Sequence, residues 1–429
     1  MRHLKFFTVP MSWVIAGMVS CRLWAAGTAP STSTLFSIDE AVKAAQAANP
    51  QVLSAKAQYL AALHQVDQAY TPEDPQFNYS NNQSPNGLFH PSSNSRGISE
   101  TIQFPGKAWL QGSEAQRNAE IARLTYMAAI RDTRAQAETD YYQTLLDSAA
   151  VEIAAENAAS IGQVLEVARV AYTANQVTES DLISAQFSLS RASQTVWADQ
   201  VSEANDVASL NLILGRKPQT PLQLTSSMEL VPMELSLDTI KEKALTMRQE
   251  ILEAALTEKN NKTALKLAWM EIIPDFNLSY MQTRYSLASA SPNPGIDTKD
   301  NTASIGFNIP IFFWFRQKED IRSASNLLEA ARQNRAGVEL QTETSVVQLY
   351  RSTDLAYQTA LLYKNFLVPL ADKNFRVALI AYQSKHIDFT TLANTLQNVY
   401  SARITYLTSM NQYLAGRVAL EQLMGGPLK

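Results

Sequence analysis

Between Gly106 and Lys217 the chain contains no proline, and the run from Lys107 to Tyr172 is rich in alanine. Such a run predicts a single helix on the order of 100 Å long at 1.5 Å rise per residue. A helix of that length cannot fold back into an ordinary globular core, where helices average about 11–12 residues. A second run of similar length, Arg316 to Tyr382, contains one proline, Pro369, which is expected to bend it. Heptad-like spacing recurs in patches: Tyr142, Leu146, Ala149, Ile153; Ile321, Ala324, Leu328, Ala331; Ala356, Ala360, Tyr363, Leu367, Leu370. Many of these positions are alanine, which permits close helix approach. The other faces carry amides, hydroxyls and charges suited to water.

The two runs belong to a weak twofold repeat. Ser37-Ile38-Asp39 matches Ser236-Leu237-Asp238, and Pro75-Gln76-Phe77-Asn78-Tyr79-Ser80 matches Pro274-Asp275-Phe276-Asn277-Leu278-Ser279, both at an offset of 199. Ala171-Tyr172 matches Ala381-Tyr382, Leu182 matches Leu392 and Gly215 matches Gly425, at an offset of 210. Each copy reads as helix, two strands, very long helix, turn and return helix. Copy one is expected at 37–216, with one helix from an N-cap at Ser37 to about Tyr70, strands near 76–82 and 96–104, and a hairpin over 107–215. Copy two is expected at 236–426, with strands near 275–285 and 302–311 and a hairpin over 316–425. Residues 27–36 and 217–235 read as linkers. The strands alternate: Phe276, Leu278 and Tyr280 interleave with Asn277 and Ser279, and Ile305, Phe307 and Ile309 with Gly306 and Asn308. Period-two alternation sets one face in an apolar medium and the other in water, which fits a membrane barrel wall and a strand on a soluble core equally. Polar stretches, Gln83–Ser95 and Ser286–Asn301, join the strands of each pair as exposed loops.

The first 26 residues read as an export signal: Arg2, His3 and Lys5, an apolar run around Trp13–Val19, then Ala25-Ala26. Arg22 cuts the run short of the ~20 residues a membrane helix needs. Cys21 is the only cysteine, so an intrachain disulfide is excluded. Met18-Val19-Ser20-Cys21 resembles a lipobox with Met in place of the usual Leu. Lipidation of Cys21 and its removal by cleavage after Ala25 or Ala26 are the two alternatives.

Nothing in the sequence assembles a reaction centre. The histidines are His3, His64, His90 and His386, none at metal-ligand spacing from another. There is no phosphate-cradling Gly-rich loop and no nucleophile elbow. A net charge of −4 gives no electrostatic reason to expect nucleic acid. No enzyme activity, cofactor or metal site is expected.

The repeat, the two long hairpins and the strand pairs resemble the TolC-like outer-membrane efflux proteins over about Leu35 to Gly425. The supporting motifs are Gln103-Phe104-Pro105-Gly106-Lys107 and its counterpart Asn308-Ile309-Pro310-Ile311-Phe312. The Tyr172 and Tyr382 turns and the Leu-Gly and Met-Gly that end the copies add to them. The Phe-Pro-Gly-Lys form is most similar to the heavy-metal branch, the CusC and CzcC type. The resemblance implies a mainly α fold with a small membrane β-barrel: a homotrimer in which three copies build a twelve-stranded barrel and a periplasmic α-barrel. It implies an exit duct in the outer membrane of a Gram-negative bacterium, among outer-membrane lipid. Substrate passes through it passively, and it opens when a periplasmic adaptor, bound to an inner-membrane RND-type pump, touches the helical tips. A periplasmic structural or adaptor protein built on helical hairpins without a pore is the alternative. Two hairpins separated by strand pairs speak against it.

The resemblance also places function at the tips. A tyrosine at the position of Tyr382 pairs with an acid at the position of Asp181 and helps close the aperture; hairpin packing of Tyr382 and helix capping by Asp181 are the plainer reading. Tyr172 holds the matching turn of copy one. The aperture positions where some members carry acids are Thr391 and Asn394, both neutral, a departure from a cation filter. Asp388, with Glu179 and Asp181, supplies nearby negative charge. Val177, Ile387 and Phe389 are candidates either for adaptor contact or for packing within the hairpins. Family members place Gly three residues after the Tyr; here Asn175 and Lys385 stand there, and Lys fits a left-handed turn poorly.

Overall fold

The computed structural model describes residues 35–82, 92–174, 176–225, 228–286, 297–307, 309, 311–312 and 315–426. The expected export signal, Cys21, Asn175, Asn308, Pro310 and the loop residues 83–91 and 287–296 lie outside the described residues.

Each copy opens on two helices where the sequence predicts one. In copy one these are α1 (Ile38–Ala48) and α2 (Pro50–Tyr70). Pro50 disfavours helical backbone at the residue before it, so Asn49 is extended (ψ 123) and its side chain caps α2 by accepting from Gln51 N–H at 2.8 Å. The Ser37–Glu40 capping box forms at the start of α1. In copy two the break recurs 199 residues on, at Arg248, between α5 (Leu237–Met247) and α6 (Gln249–Met270), without a proline. Arg248 instead donates to Glu250 and to Thr342 Oγ1, both at 3.0 Å.

Two short strands, β1 (Leu35–Phe36) and β4 (Gln223–Leu224), pair in parallel and join the N-terminal segment to the stretch between the copies. The remaining strands, β2 (Gln76–Asn82), β3 (Ser92–Ile102), β5 (Phe276–Ser286) and β6 (Asp297–Phe307), form one antiparallel sheet in the order β2-β3-β5-β6. β2 matches its expected limits. β3 and β6 start earlier and end earlier than the hydrophobic pattern suggested. Ladder pairing continues through polar residues such as Asn94 and Asp297, whereas Pro105 opens a helix and ends the run after β3.

The long helix of copy one, α3 (Pro105–Thr173), is continuous over 69 residues and returns through α4 (Glu179–Ile213). In copy two, α7 (Gln317–Leu362) passes into a five-residue π-helical stretch, Tyr363–Leu367, then α8 (Val368–Gln383) and the return helix α9 (Phe389–Met424). The π stretch lies just before Pro369, which lacks an N–H and whose ring crowds the carbonyl four residues back. It also ends the predicted seam: Ala356 and Ala360 are buried, whereas Leu370 is exposed. On α3 the buried seam is Ala137, Tyr141, Thr144, Asp147 and Ala154. The expected positions Tyr142, Ala149 and Ile153 lie on the adjacent face, where they pack against the cluster around Met410, Tyr413 and Leu414. Return helices end on left-handed Gly215 (φ 68) and Gly425 (φ 75), where a Cβ would lie 2.7 Å from Ala48 Cβ and 2.9 Å from the Met247 carbonyl. Among the described residues no helix is long and apolar enough to cross a membrane.

Candidate functional site

The two hairpin tips share one core. Val164, Leu165 and Ala168 of α3, Ala185 of α4, Ala378 and Tyr382 of α8, and Phe389 and Leu392 of α9 are buried together. Tyr382 is buried within this core, and its hydroxyl has no hydrogen-bond partner among the described residues. Burial, then the charge of Asp181, raises the pKa of that hydroxyl. Asp181 itself closes a capping box at the start of α4: its Oδ2 accepts from Thr178 N–H at 3.1 Å and from Thr178 Oγ1 at 2.8 Å. Within the protomer, Asp181 is thus a cap and Tyr382 a core residue with an unspent hydroxyl.

The other tip residues divide by exposure. Asp388 is exposed and caps α9, accepting from Thr391 N–H at 2.8 Å; the bonds from Thr391 hold its carboxyl below the usual range. Thr391 and Asn394 are exposed, and Asn394 lines a cleft of about 460 Å³ between the copy-one hairpin and α9, together with Phe187, Arg191 and Gln397. Sequence reading did not single out that cleft, because its walls come from both copies. Tyr172 is exposed, unlike its counterpart Tyr382. Val177 and Ile387 are half-buried. Phe389 is 4% exposed, so in this protomer it packs inside the bundle and presents no surface to a partner. Lys385 adopts φ 65, so the left-handed turn forms in spite of its side chain.

The sheet has two unlike faces. Residues directly opposite in the ladder share a face, which groups Phe77, Ile98 and Tyr280, then Leu278 and Ile305, then Ile102, Phe276 and Phe307. All of these are exposed, and Glu100 interrupts them beside Leu278. The opposite face carries mainly small polar side chains, with Met281 and Tyr285 as exceptions. There Asn78 donates to Ser99 at 3.1 Å, and hydroxyls meet at 2.7 Å between Ser279 and Ser304 and at 3.0 Å between Ser95 and Thr283. Among the described residues the edge strands β2 and β6 have no outer partner.

The junction between sheet and helices explains the Phe-Pro-Gly-Lys motif. Lys107, on the first turn of α3, is 2% exposed. Its ammonium donates to both oxygens of Asp275, at 3.0 and 3.1 Å, and lies 3.6 Å from Glu271. Asp275 Oδ1 also accepts from Phe104 N–H at 3.0 Å. Copy one is therefore fastened to copy two just below the sheet. A buried lysine requires such a partner, and the sequence carried no sign that the partner lay 168 residues away.

Residues 241–426 match the sequence profile of the family described as outer membrane efflux protein. This match lies within copy two. No curated protein sequence matches the chain. Among solved structures, a membrane protein from Pseudomonas aeruginosa superposes with a TM-score of 0.79 at 14% identity, covering 90% of this chain and 92% of that one. CusC superposes with a TM-score of 0.76 at 15% identity, covering 91% and 92%. The outer-membrane channel CmeC of Campylobacter jejuni gives 0.73 at 15% identity, covering 91% and 85%. The chain has the fold of these proteins. CusC does not stand apart from the others, so the expected heavy-metal branch is not singled out. Among the described residues no group of three or more His, Cys, Asp or Glu is arranged to hold a metal ion.

Proposed function

We propose that this protein is the outer-membrane exit duct of a tripartite efflux system. The observation that carries the reading is the sheet. It has four strands, an apolar face, a hydrogen-bonded polar face and two open edges. Such a sheet is stable only if both edges are paired and the apolar face is covered. Three copies joined edge to edge give a closed twelve-stranded barrel with lipid outside and water within. The helices support the same assembly. Ile183, Phe187, Trp197 and Val201 form an exposed apolar stripe on α4, and Leu355, Leu362, Phe366 and Leu370 form another across α7 and α8. These stripes suit packing between neighbouring copies into a periplasmic α-barrel.

In this reading the joined tips close the inner end, and a periplasmic adaptor carrying an RND-type pump engages them through half-buried Val177 and Ile387. In the assembled trimer with its aperture closed, the unspent hydroxyl of Tyr382 donates a charge-assisted bond to the carboxylate of Asp181, and the bond breaks when the tips shift, which sets two states of the aperture. The duct conducts passively. The test is single-channel recording of the purified protein in planar bilayers. Wild type is expected to conduct ions weakly, and Tyr382→Phe to raise conductance. Absence of any conductance, with the protein found soluble in the periplasm, would sink the duct reading. Unchanged conductance in Tyr382→Phe would remove the latch alone.

A further inference from the structure

The apolar face of the sheet changes character toward the strand ends farthest from the helices. One row beyond Ile98 and Tyr280 stand Tyr79, Arg96, Gln282 and Asn301; the next row holds Asn94, Arg284 and Lys299. With two residues per row at ~3.4 Å each, these rows lie about 7 and 14 Å past the last apolar row. Arg96, Arg284 and Lys299 are all exposed, and Tyr79 is 59% exposed. Arg96 is held flat against the sheet by Gln282, whose Oε1 accepts from its Nε at 3.0 Å and its Nη2 at 2.5 Å. Asn94 donates to the Tyr79 hydroxyl at 3.1 Å.

Arg284 sits directly across the ladder from Lys299. Like charges in opposed positions destabilise a sheet unless an anion lies between them. By register, Asp297 pairs with Ser286 one row further out, and Asp300, opposite Thr283, lies on the other face. Glu100 is two rows back toward the helices from Arg96. Among the described residues the cations therefore outnumber the acids at this level, beyond a lipid-compatible surface and beside an aromatic ring of the kind that lines membrane interfaces.

We infer that Arg96, Arg284 and Lys299 form a binding site on the outer wall of the barrel for the phosphate of a lipid headgroup in the outer leaflet. The inference rests on the proposed barrel, which turns this face to lipid. The guanidinium groups offer paired donors to phosphate oxygens, and the aliphatic stem of Arg96 can lie along the apolar row of Ile98 and Tyr280 beneath it. Closure by three copies repeats the site three times, so bound lipids would form a ring at one depth and set how far the barrel sits in the membrane.

The test uses the full-length protein reconstituted into dioleoylphosphatidylcholine vesicles containing a minor fraction of dioleoylphosphatidic acid. Flotation reads insertion, and native mass spectrometry of the released protein reads retained lipid. Wild type is expected to retain phosphatidic acid in preference to phosphatidylcholine. The double variant Arg284→Gln/Lys299→Gln should lose roughly tenfold of that preference. Arg284→Lys should keep most of it, and Arg322→Gln, on the exposed face of α7, all of it. Equal retention of the two lipids by wild type, or no change in the double variant, would overturn the site while leaving the barrel intact. Displacement of the retained lipid by inorganic phosphate would show a general anion site and overturn the lipid assignment. Failure of wild type to float with either vesicle would overturn the barrel itself.

Discussion

The two copies of the repeat share an order of elements and divide the mechanical work. Copy one contributes an unbroken α3 of 69 residues, an exposed tip tyrosine, and a return helix whose apolar residues mostly face outward. Copy two contributes a long helix interrupted by the π stretch before Pro369, a buried tip tyrosine, and a return helix that forms the centre of the bundle. Along α9, Leu392, Leu396, Met410, Leu414 and Leu420 are all buried, whereas α4 buries only Ala185, Ala192, Leu210 and Asn211. The seams differ in the same sense. Asp199 and Asp206 of α4 correspond, 210 residues on, to buried Ser409 and Gly416 of α9. Gly416 packs so closely on Thr353 that a Cβ there would lie 2.3 Å from its hydroxyl oxygen. Duplication supplied the frame. Divergence made one copy an outer strut with exposed apolar side chains and the other a close-packed inner helix pair with a built-in bend.

The sharpest asymmetry is at the junction. Lys107 of copy one is buried on Asp275 of copy two, but the corresponding residues of the reverse pairing are Phe312 and Gln76, which cannot form an ion pair. Among the described residues, the ion pair that ties the copies together below the sheet therefore has no twin. Asp275→Ala is expected to leave Lys107 buried with only the more distant Glu271, costing about 3–5 kcal/mol. In heat-dissociation gels the variant assembly should fall apart well below the wild-type temperature. Gln76→Ala, at the matching position of copy one, should change little. Equal losses from the two substitutions would erase the asymmetry.

The seam between α3 and α4 gives the next effect. Burial, and then the carboxyl of Asp206 beside it, push the Asp147 carboxyl up to about 7. Gln143 donates to Asp147 at 3.1 Å and in turn accepts from Asn411 of α9 at 2.9 Å, so the pair is tied to copy two. Asp199 adds further negative charge. Because the native pKa exceeds the unfolded value of about 3.9, the folded state binds more protons between those limits. Stability therefore falls as pH rises from about 4 to about 7 and is level above that. Asp147→Asn should gain about 1–2 kcal/mol at pH ~8 and nothing at pH ~4, read by denaturant titration. A pH-independent gain would mean that the seam responds to packing and not to charge.

What was legible in the sequence follows from which forces are local. Helix length, strand alternation and the Gly215 and Gly425 stops depend on neighbours a few residues away, and each can be read from a short window. The extended break at Asn49 was equally readable, since Pro50 forces it, but the one-helix reading passed over it; its twin at Arg248 had no such sign. The packing of Tyr382, the burial of Phe389 and the Lys107–Asp275 link depend on helices far apart in sequence meeting. Periodicity shows that a face is apolar without showing which neighbour covers it. That also explains the seam of α3, which has two covered faces and so no single heptad to find.

The smallest expected effect lies at the tips themselves. The return helices end on glycine where the backbone is left-handed, yet the tip of copy two puts Lys385 at φ 65. A side chain there costs roughly 1–2 kcal/mol, of which glycine gives back part through its larger loss of backbone entropy. Lys385→Gly is therefore expected to stabilise the protein by about 0.5–1 kcal/mol. Its mark should be local: slower amide exchange at Lys385-His386-Ile387, where His386 N–H already donates to the Ala381 carbonyl at 2.8 Å. If the strain serves to keep this tip ready to move, the same variant should also lower the opening frequency of the channel, since a relaxed turn favours the closed bundle. A stabilised tip with unaltered gating would mean that Lys385 is tolerated strain. A tip that neither stabilises nor slows its exchange would mean that its neighbours, and not its own backbone, fix the turn.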